Sequence, residues 1–307
     1  MRKVTQQRFG GPEVLEVVTA ERPVAGPGEV LVKVAASGLN PVDAAVRSGF
    51  LPLLGEGSFT LGWDVAGVVE AVGPGAGFAV GDEVYGMPNF PGAAGGYAEY
   101  VAAPAAELAA KPAGLSFAEA AALPLAGLTA WQSLVTAAGL TAGQRVLIHR
   151  AAGGVGHLAV QIAKARGAHV IGLAGAAKHE FLRSLGADEV IDYRATDYTE
   201  VLSGLDVVLD SSAEGDRSLR VLREGGVLVS IMQHHDQELA ARVRAAGRRF
   251  EGVSVQPDAA GLAGLSALVE AGRLRPHLAE VLPLAEVARA HELLDTGRTQ
   301  GKIVLAV

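Results

Sequence analysis

The chain has 307 residues, half of them hydrophobic, with no cysteine and a formal net charge of −7. The missing cysteines exclude disulfides and thiolate zinc sites, and the acidic balance, with no basic run beyond Arg248-Arg249, argues against a nucleic-acid partner. No uncharged apolar run of about 18 residues reads as a membrane span, and the opening MRKVTQQRFGGPEVL has no apolar core of a signal peptide. The expectation is a cytoplasmic protein of about two domains.

In chain order, the first part carries short β-type runs at Glu29–Ala35, Ala66–Val72, Glu83–Gly86 and Ala98–Val101, punctuated by Pro-Gly, Gly-Pro and Gly-Asp. This pattern predicts a small, irregular β-barrel. Asn40-Pro41 is a good helix start. From residue 118 the pattern changes to strands alternating with helices. Strands are predicted at Val146–Ile148, His169–Leu173, Glu189–Ile191, Asp206–Leu209, Val227–Ile231 and Phe250–Val255. Helices are predicted at Val155–Arg166, His179–Leu185, Arg217–Arg223 and Gln237–Gly247. Such alternation implies a doubly wound parallel sheet. The fold class is therefore α/β. Expected domains are 1–117 and 118–270, and a tail over 271–307 holds a helix (Leu284–Asp295) and a last strand (Lys302–Val307) that return to the first domain.

The most informative segment is VLIHRAAGGVGHLAVQIAKARGAHVIGLA, residues 146–174. A buried strand leads into Ala151-Ala152-Gly153-Gly154-Val155-Gly156, and a helix and a second strand follow. This is an A-x-G-x-x-G form of the dinucleotide fingerprint in the strand–turn–helix context that the motif requires. The turn must be tight, a pyrophosphate must approach the free N–H groups at the helix start, and the last glycine must let helix and strand pack closely. Ala151, Gly153, Gly154, Val155 and Gly156 are thus cofactor-binding candidates.

Ala174-Gly175 ends the second strand, about where NAD-specific enzymes place an acidic residue on the ribose 2′-OH. No Asp or Glu lies between Val170 and Ala177, so a 2′-phosphate would meet no repulsion, and Ala174 joins the candidates. Ser211 follows the fourth strand at the carboxyl edge of the sheet, where ligands bind in open α/β folds; its alternative role is to cap the next helix. Ile231 and Val255 end the last two strands and are expected to flank the cofactor through their backbones. Arg150, beside the glycine turn, is expected to form a surface ion pair.

Taken in order, FGGPEVLEV (9–17), PGEVLVKVAASGLNPVD (27–43), LGWDVAGVVEAVGPG (61–75), GDEVYG (81–86), GGYAEYV (95–101), LPLAGLTAWQSL (123–134), the fingerprint, LGADEVIDYR (185–194) and GKIVLAV (301–307) resemble the zinc-independent medium-chain dehydrogenase/reductases, the quinone oxidoreductase (zeta-crystallin-like) family. The resemblance implies a GroES-like β-barrel catalytic domain, completed by the C-terminus, with an inserted Rossmann domain. It implies NADPH and a quinone, enone or alkenal substrate, reduced by hydride without metal. Zinc-dependent relatives carry a cysteine where Ser37-Gly38-Leu39 stands and Gly-His-Glu where Gly62-Trp63-Asp64 stands. The eight histidines do not cluster in the sequence, so no metal site is expected.

The resemblance also implies roles for single residues. Lys178 and Tyr193 would bind the 2′-phosphate, against the alternatives of a solvated helix-start lysine and a tyrosine packed on the sheet. Thr129 matches a position beside the nicotinamide, or it bonds back to a helix carbonyl. Asn40 and Asp43 line the substrate end, as catalytic candidates or as helix-start residues; Asn40 would donate to a carbonyl oxygen as hydride arrives. Lys302 could reach the cofactor from the tail, or stand in solvent. Trp63 and Tyr85 either wall the pocket or pack in the core. A homodimer through the sixth strand is expected, because an unpaired edge invites pairing. The alternative function is an NADPH-binding structural or regulatory protein with little turnover.

Overall fold

The computed structural model describes residues 1–307. The chain divides into two compact units. One comprises Met1–Leu128, Gln256–Ala271 and Arg275–Val307, and the other Thr129–Val255 with Gly272–Leu274.

In the second unit six parallel strands run in the spatial order Glu189–Ile191, His169–Leu173, Arg145–Ile148, Leu205–Asp210, Leu222–Ser230, Arg249–Gly252. In sequence terms this is 3-2-1-4-5-6, the Rossmann order, with its switch point beside the first strand. The central strands are near-continuous hydrophobic runs because helices cover the sheet. Leu147, Ile171, Val208 and Leu228 are buried in one cluster with Leu239 and Val243 of helix Gln237–Ala245. The sixth strand is shorter than expected. It ends at Gly252, and only Phe250 of its residues packs against the cluster. Regular apolar alternation is therefore absent from this edge.

The first unit is built on one long strand, Glu29–Gly38. Asp64–Val72 pairs with it along one side. On the other side Tyr100–Pro104 pairs with residues 29–33 and Lys302–Ala306 with residues 36–38. Register shifts between Leu31 and Val32 and between Val34 and Ala36 interrupt the ladder, as bulges that bend a strand do. The last strand thus returns to the first unit, where Leu278–Pro283 lies parallel to it. Residues 118–128 belong to this unit too. The reason is a buried bond, from Leu125 N to Asp64 Oδ1 at 2.7 Å, that ties the segment to the barrel unit rather than to the Rossmann sheet.

The N-terminal pairing of Arg2–Thr5 with Glu16–Thr19 and the helix Ala259–Glu270 were not expected from the sequence. In the helix, small and apolar residues run all round and give no amphipathic stripe.

Candidate cofactor and substrate sites

The glycine turn has the geometry its motif requires. Gly153 is extended and precedes the helix Gly154–Ala165. The first N–H groups of that twelve-residue helix have no intrahelical acceptors and point outward from its start. No acidic residue stands in its first turn, so the positive end of the helix is unopposed. At Gly156 an added Cβ would lie 2.4 Å from Arg150 O and 2.6 Å from Ala151 Cα. Only glycine fits where helix and turn meet. Ala151 is buried and its N–H donates to Leu173 O, which fixes the turn to the second strand. These features fit a dinucleotide, with Gly154, Val155 and Gly156 offering backbone donors to a pyrophosphate.

Arg150 adopts a left-handed conformation, φ 47°. It is exposed and pairs with no carboxylate, so the expected surface ion pair is absent.

At the end of the second strand, Ala174 is buried and Gly175 opens a short 3-10 turn, Ala176–Lys178. Lys178 is half-buried, and burial lowers its ammonium pKa. Tyr193 is exposed rather than packed on the sheet. Both side chains stand beyond the carboxyl ends of their strands.

Ser211 Oγ donates to His149 O at 3.0 Å. It does not cap the next helix. The helix Gly215–Val221 has no side-chain cap; Asp210 instead holds the loop before it, its carboxylate accepting from Ser212 N and Glu214 N at 2.8 and 2.9 Å. Asp210 Oδ1 also accepts from His149 Nδ1 at 3.2 Å, with both side chains fully buried. His149 and Asp210 therefore tie the glycine turn to the loop that carries Ser211. Ile231 already uses its backbone, donating to Asp210 O and accepting from His234 Nδ1. Val255 is buried just beyond the sixth strand, and Thr129 is buried in helix Pro124–Trp131.

The first unit holds a different kind of site. Lys302 is 3% exposed. Its ammonium donates to Leu39 O at 2.7 Å, Asn40 Oδ1 at 2.5 Å and Asp64 Oδ2 at 3.2 Å. An ammonium has three donors, and all three are used. The alternative that Lys302 stands in solvent is therefore corrected.

Asn40 Nδ2 donates to Asp64 Oδ2 at 2.8 Å. With its carbonyl on Lys302 and 1% exposure, Asn40 is an internal bridge. It is the N-cap residue of helix Pro41–Ser48, and its side chain faces the protein interior. Asp43 accepts from Asn40 N at 2.7 Å and from Gly62 N at 3.1 Å. It is fully buried and latches two loops together. Both side chains are engaged with the protein itself, and Asp43, at the third position of helix Pro41–Ser48, takes the helix-start role weighed from the sequence.

The sequence reasoning missed Asp64 and therefore the cluster. Asp64 is 24 residues from Asn40 and 238 from Lys302, and no local pattern links them. Burial raises the Asp64 pKa despite the Lys302 charge. Burial likewise pushes Asp43 up to about 7, opposed by the N–H of Asn40 and reinforced by the Asp64 charge. Nearby, Arg47 donates to His291 Nδ1 at 2.9 Å and to Asp295 Oδ2 at 2.8 Å. A guanidinium can only donate, so His291 Nδ1 accepts and the ring is neutral. Burial, then the Arg47 charge, lowers the His291 pKa to about 3.

Trp63 and Tyr85 are core residues, 1% and 0% exposed. Trp63 Nε1 donates to Gly92 O, and Tyr85 Oη donates to Leu262 O. No group of three or more His, Asp or Glu side chains is arranged to hold a metal ion.

The alcohol dehydrogenase GroES-like domain family matches residues 26–113, and the family described as zinc-binding dehydrogenase matches residues 185–305. The NADPH-dependent alkenal/one oxidoreductase of Arabidopsis thaliana chloroplasts is 36% identical over 97% of this chain and 77% of its own length. The solved quinone oxidoreductase of Coxiella burnetii superposes with a TM-score of 0.93, at 36% identity, covering 100% of this chain and 99% of its own. The chain belongs to the zinc-independent quinone oxidoreductases of the medium-chain dehydrogenase/reductase family. Its two units are a GroES-like unit and a Rossmann unit. Another solved family structure, titled NAD-dependent alcohol dehydrogenase, has a TM-score of 0.90 and 38% identity, covering 100% of both chains. Relatives therefore differ in the dinucleotide they are named for, and for this chain the choice turns on the end of the second strand.

Proposed function

We propose that this protein is an NADPH-dependent oxidoreductase that reduces a quinone or an activated alkene, an enone or alkenal, without metal. The observation that carries this reading is the glycine turn, with an open helix start and room only for glycine at Gly156, followed by a second strand that ends without an acidic side chain. Bound NADPH supplies the hydride. The chain's own residues bind and orient it. Backbone N–H groups of Gly154, Val155 and Gly156 take the pyrophosphate, and Lys178 and Tyr193 serve the 2′-phosphate end. Ser211 holds its loop on His149 O.

The Asn40–Asp43–Asp64–Lys302 cluster works by position. A buried ammonium on a carboxylate, with an amide completing the bonds, holds the segment after the long strand rigid. This is the segment where zinc-dependent relatives carry metal ligands, and here Lys302 provides the positive charge internally. The protein acts in the cytoplasm. It works as a homodimer through the Arg249–Gly252 edge, a reading supported by the unpaired outer side of that strand.

The test is a panel of quinones, enones and alkenals, with loss of reduced-nicotinamide absorbance as readout and zinc content measured on the same sample. Turnover of at least one class with NADPH, and no stoichiometric zinc, supports the reading. NADPH binding with no turnover across the panel supports a binding protein instead.

A further inference from the structure

We infer that Arg194 is a principal reader of the cofactor's 2′-phosphate, with its guanidinium lying against Gly175 at the end of the second strand. Arg194 follows Tyr193 after the third strand. Its backbone N–H is held by Asp192 Oδ1 at 3.0 Å. The side chain reaches back across the sheet end to the second strand. A Cβ built on Gly175 would lie 3.5 Å from Arg194 Nη1 and 3.7 Å from Cζ. The guanidinium thus borders the position from which an acidic side chain would project at the end of the second strand in an NAD-binding domain. It lies 5.4 Å from the centre of the Tyr193 ring, within cation–π range. No Asp or Glu pairs with it.

The chemistry favours a phosphate monoester. A guanidinium offers a planar fork of donors that matches phosphate oxygens in pairs, which an ammonium such as Lys178 cannot do. On the second-strand side Ala176 and Ala177 are small and Lys178 is basic, and the adjacent acid, Asp192, turns Oδ1 to the Arg194 backbone N–H rather than to its guanidinium. Tyr193 is the shelf that keeps the guanidinium over Gly175. Arg194 is therefore a specificity residue. It discriminates between dinucleotides with and without the 2′-phosphate and takes no part in hydride transfer.

This inference rests on the NADPH reading, and the test separates the two. The wild type and Arg194→Gln are titrated by calorimetry with adenosine 2′,5′-bisphosphate and with adenosine 5′-monophosphate, fragments that lack the nicotinamide. The wild type should prefer the bisphosphate. Arg194→Gln should lose about 10- to 100-fold of bisphosphate affinity, the scale of charged hydrogen bonds, while its monophosphate affinity stays unchanged. Arg194→Lys should recover only part of the loss. A wild-type preference that survives in Arg194→Gln overturns the role of Arg194 and leaves the NADPH reading standing. A wild type that does not distinguish the fragments overturns both. As a second variant, Gly175→Asp should pair with Arg194 and abolish the preference; an undiminished preference in that variant counts against the inference.

Discussion

At the glycine turn the working groups are backbone amides within one short run of sequence, and at the Asp64 cluster they are side chains gathered from both ends of the chain. The turn needs absence: no Cβ at Gly156 and no acid in the first helical turn. The cluster needs presence: one ammonium, one carboxylate and one amide, each bonded to the others. Substitutions at the turn should therefore act by steric exclusion and through the cofactor. Substitutions at the cluster should act through unpaired charge and through stability.

The largest effect is expected at the cluster. Lys302→Met leaves the Asp64 carboxylate buried without its cation, which should cost about 3–5 kcal/mol in urea unfolding. The double variant Asp64→Asn/Lys302→Met removes both charges and should regain most of that loss. A single variant within about 1 kcal/mol of wild type would mean that the pair carries no charge balance, and the contrast between the two regions would fail.

At the turn, Gly156→Ala forces a methyl group onto the Arg150 carbonyl. Overpacking of this kind costs about 1–3 kcal/mol, and the displaced helix start should weaken NADPH binding as well. Unchanged melting temperature and unchanged NADPH affinity together would show that the close approach is not needed.

The pH dependence of stability sharpens the picture of the first unit. Asp43 keeps its proton up to about pH 7 when folded, against an ordinary value of 3.8. The folded state then holds more protons, so this group makes stability fall as pH rises through that window. His291 titrates near 3 when folded, against 6.5 ordinarily. Here the unfolded state holds the proton, so stability is lost as pH drops from 6.5 toward 3. The two slopes oppose each other between about pH 4 and 6.5. Asp43→Asn should expose a limb that rises with pH. His291→Gln, which keeps an acceptor for Arg47, should expose one that falls. Parallel stability profiles for wild type and both variants would contradict the assignment.

The smallest effect belongs to Arg150. Its left-handed backbone is unfavourable for any residue with a Cβ, while glycine loses more freedom on folding. The two nearly cancel, and Arg150→Gly should shift stability by less than about 1 kcal/mol. A larger loss would reveal a bond made by this side chain.

The same contrast governs what was legible in the sequence. The Rossmann strands were readable because buried parallel strands are continuous apolar runs, and the turn was readable because its chemistry is local. His169–Leu173 and Glu189–Ile191 match their expected bounds. The sixth strand was drawn too long, since Val253-Ser254-Val255 reads as a strand but pairs no further than Gly252. At the first unit the sequence named Asn40, Asp43 and Lys302 one by one, and placed Asp43 at a helix start, but did not join them into one cluster. Their partner is Asp64, and contacts at separations of 24, 238 and 262 residues have no local signature. The capping alternative for Ser211 does not hold, since its hydroxyl turns to His149 O and the helix that follows starts only at Gly215.

The central claim is that the end of the second strand receives the 2′-phosphate of NADPH. The most direct measurement is a calorimetric titration of the purified wild-type protein with NADPH and with NADH at fixed salt. The account predicts binding of both, with NADPH tighter by at least about tenfold, as expected for one charge-assisted phosphate contact. Equal affinities, or tighter binding of NADH, would contradict it.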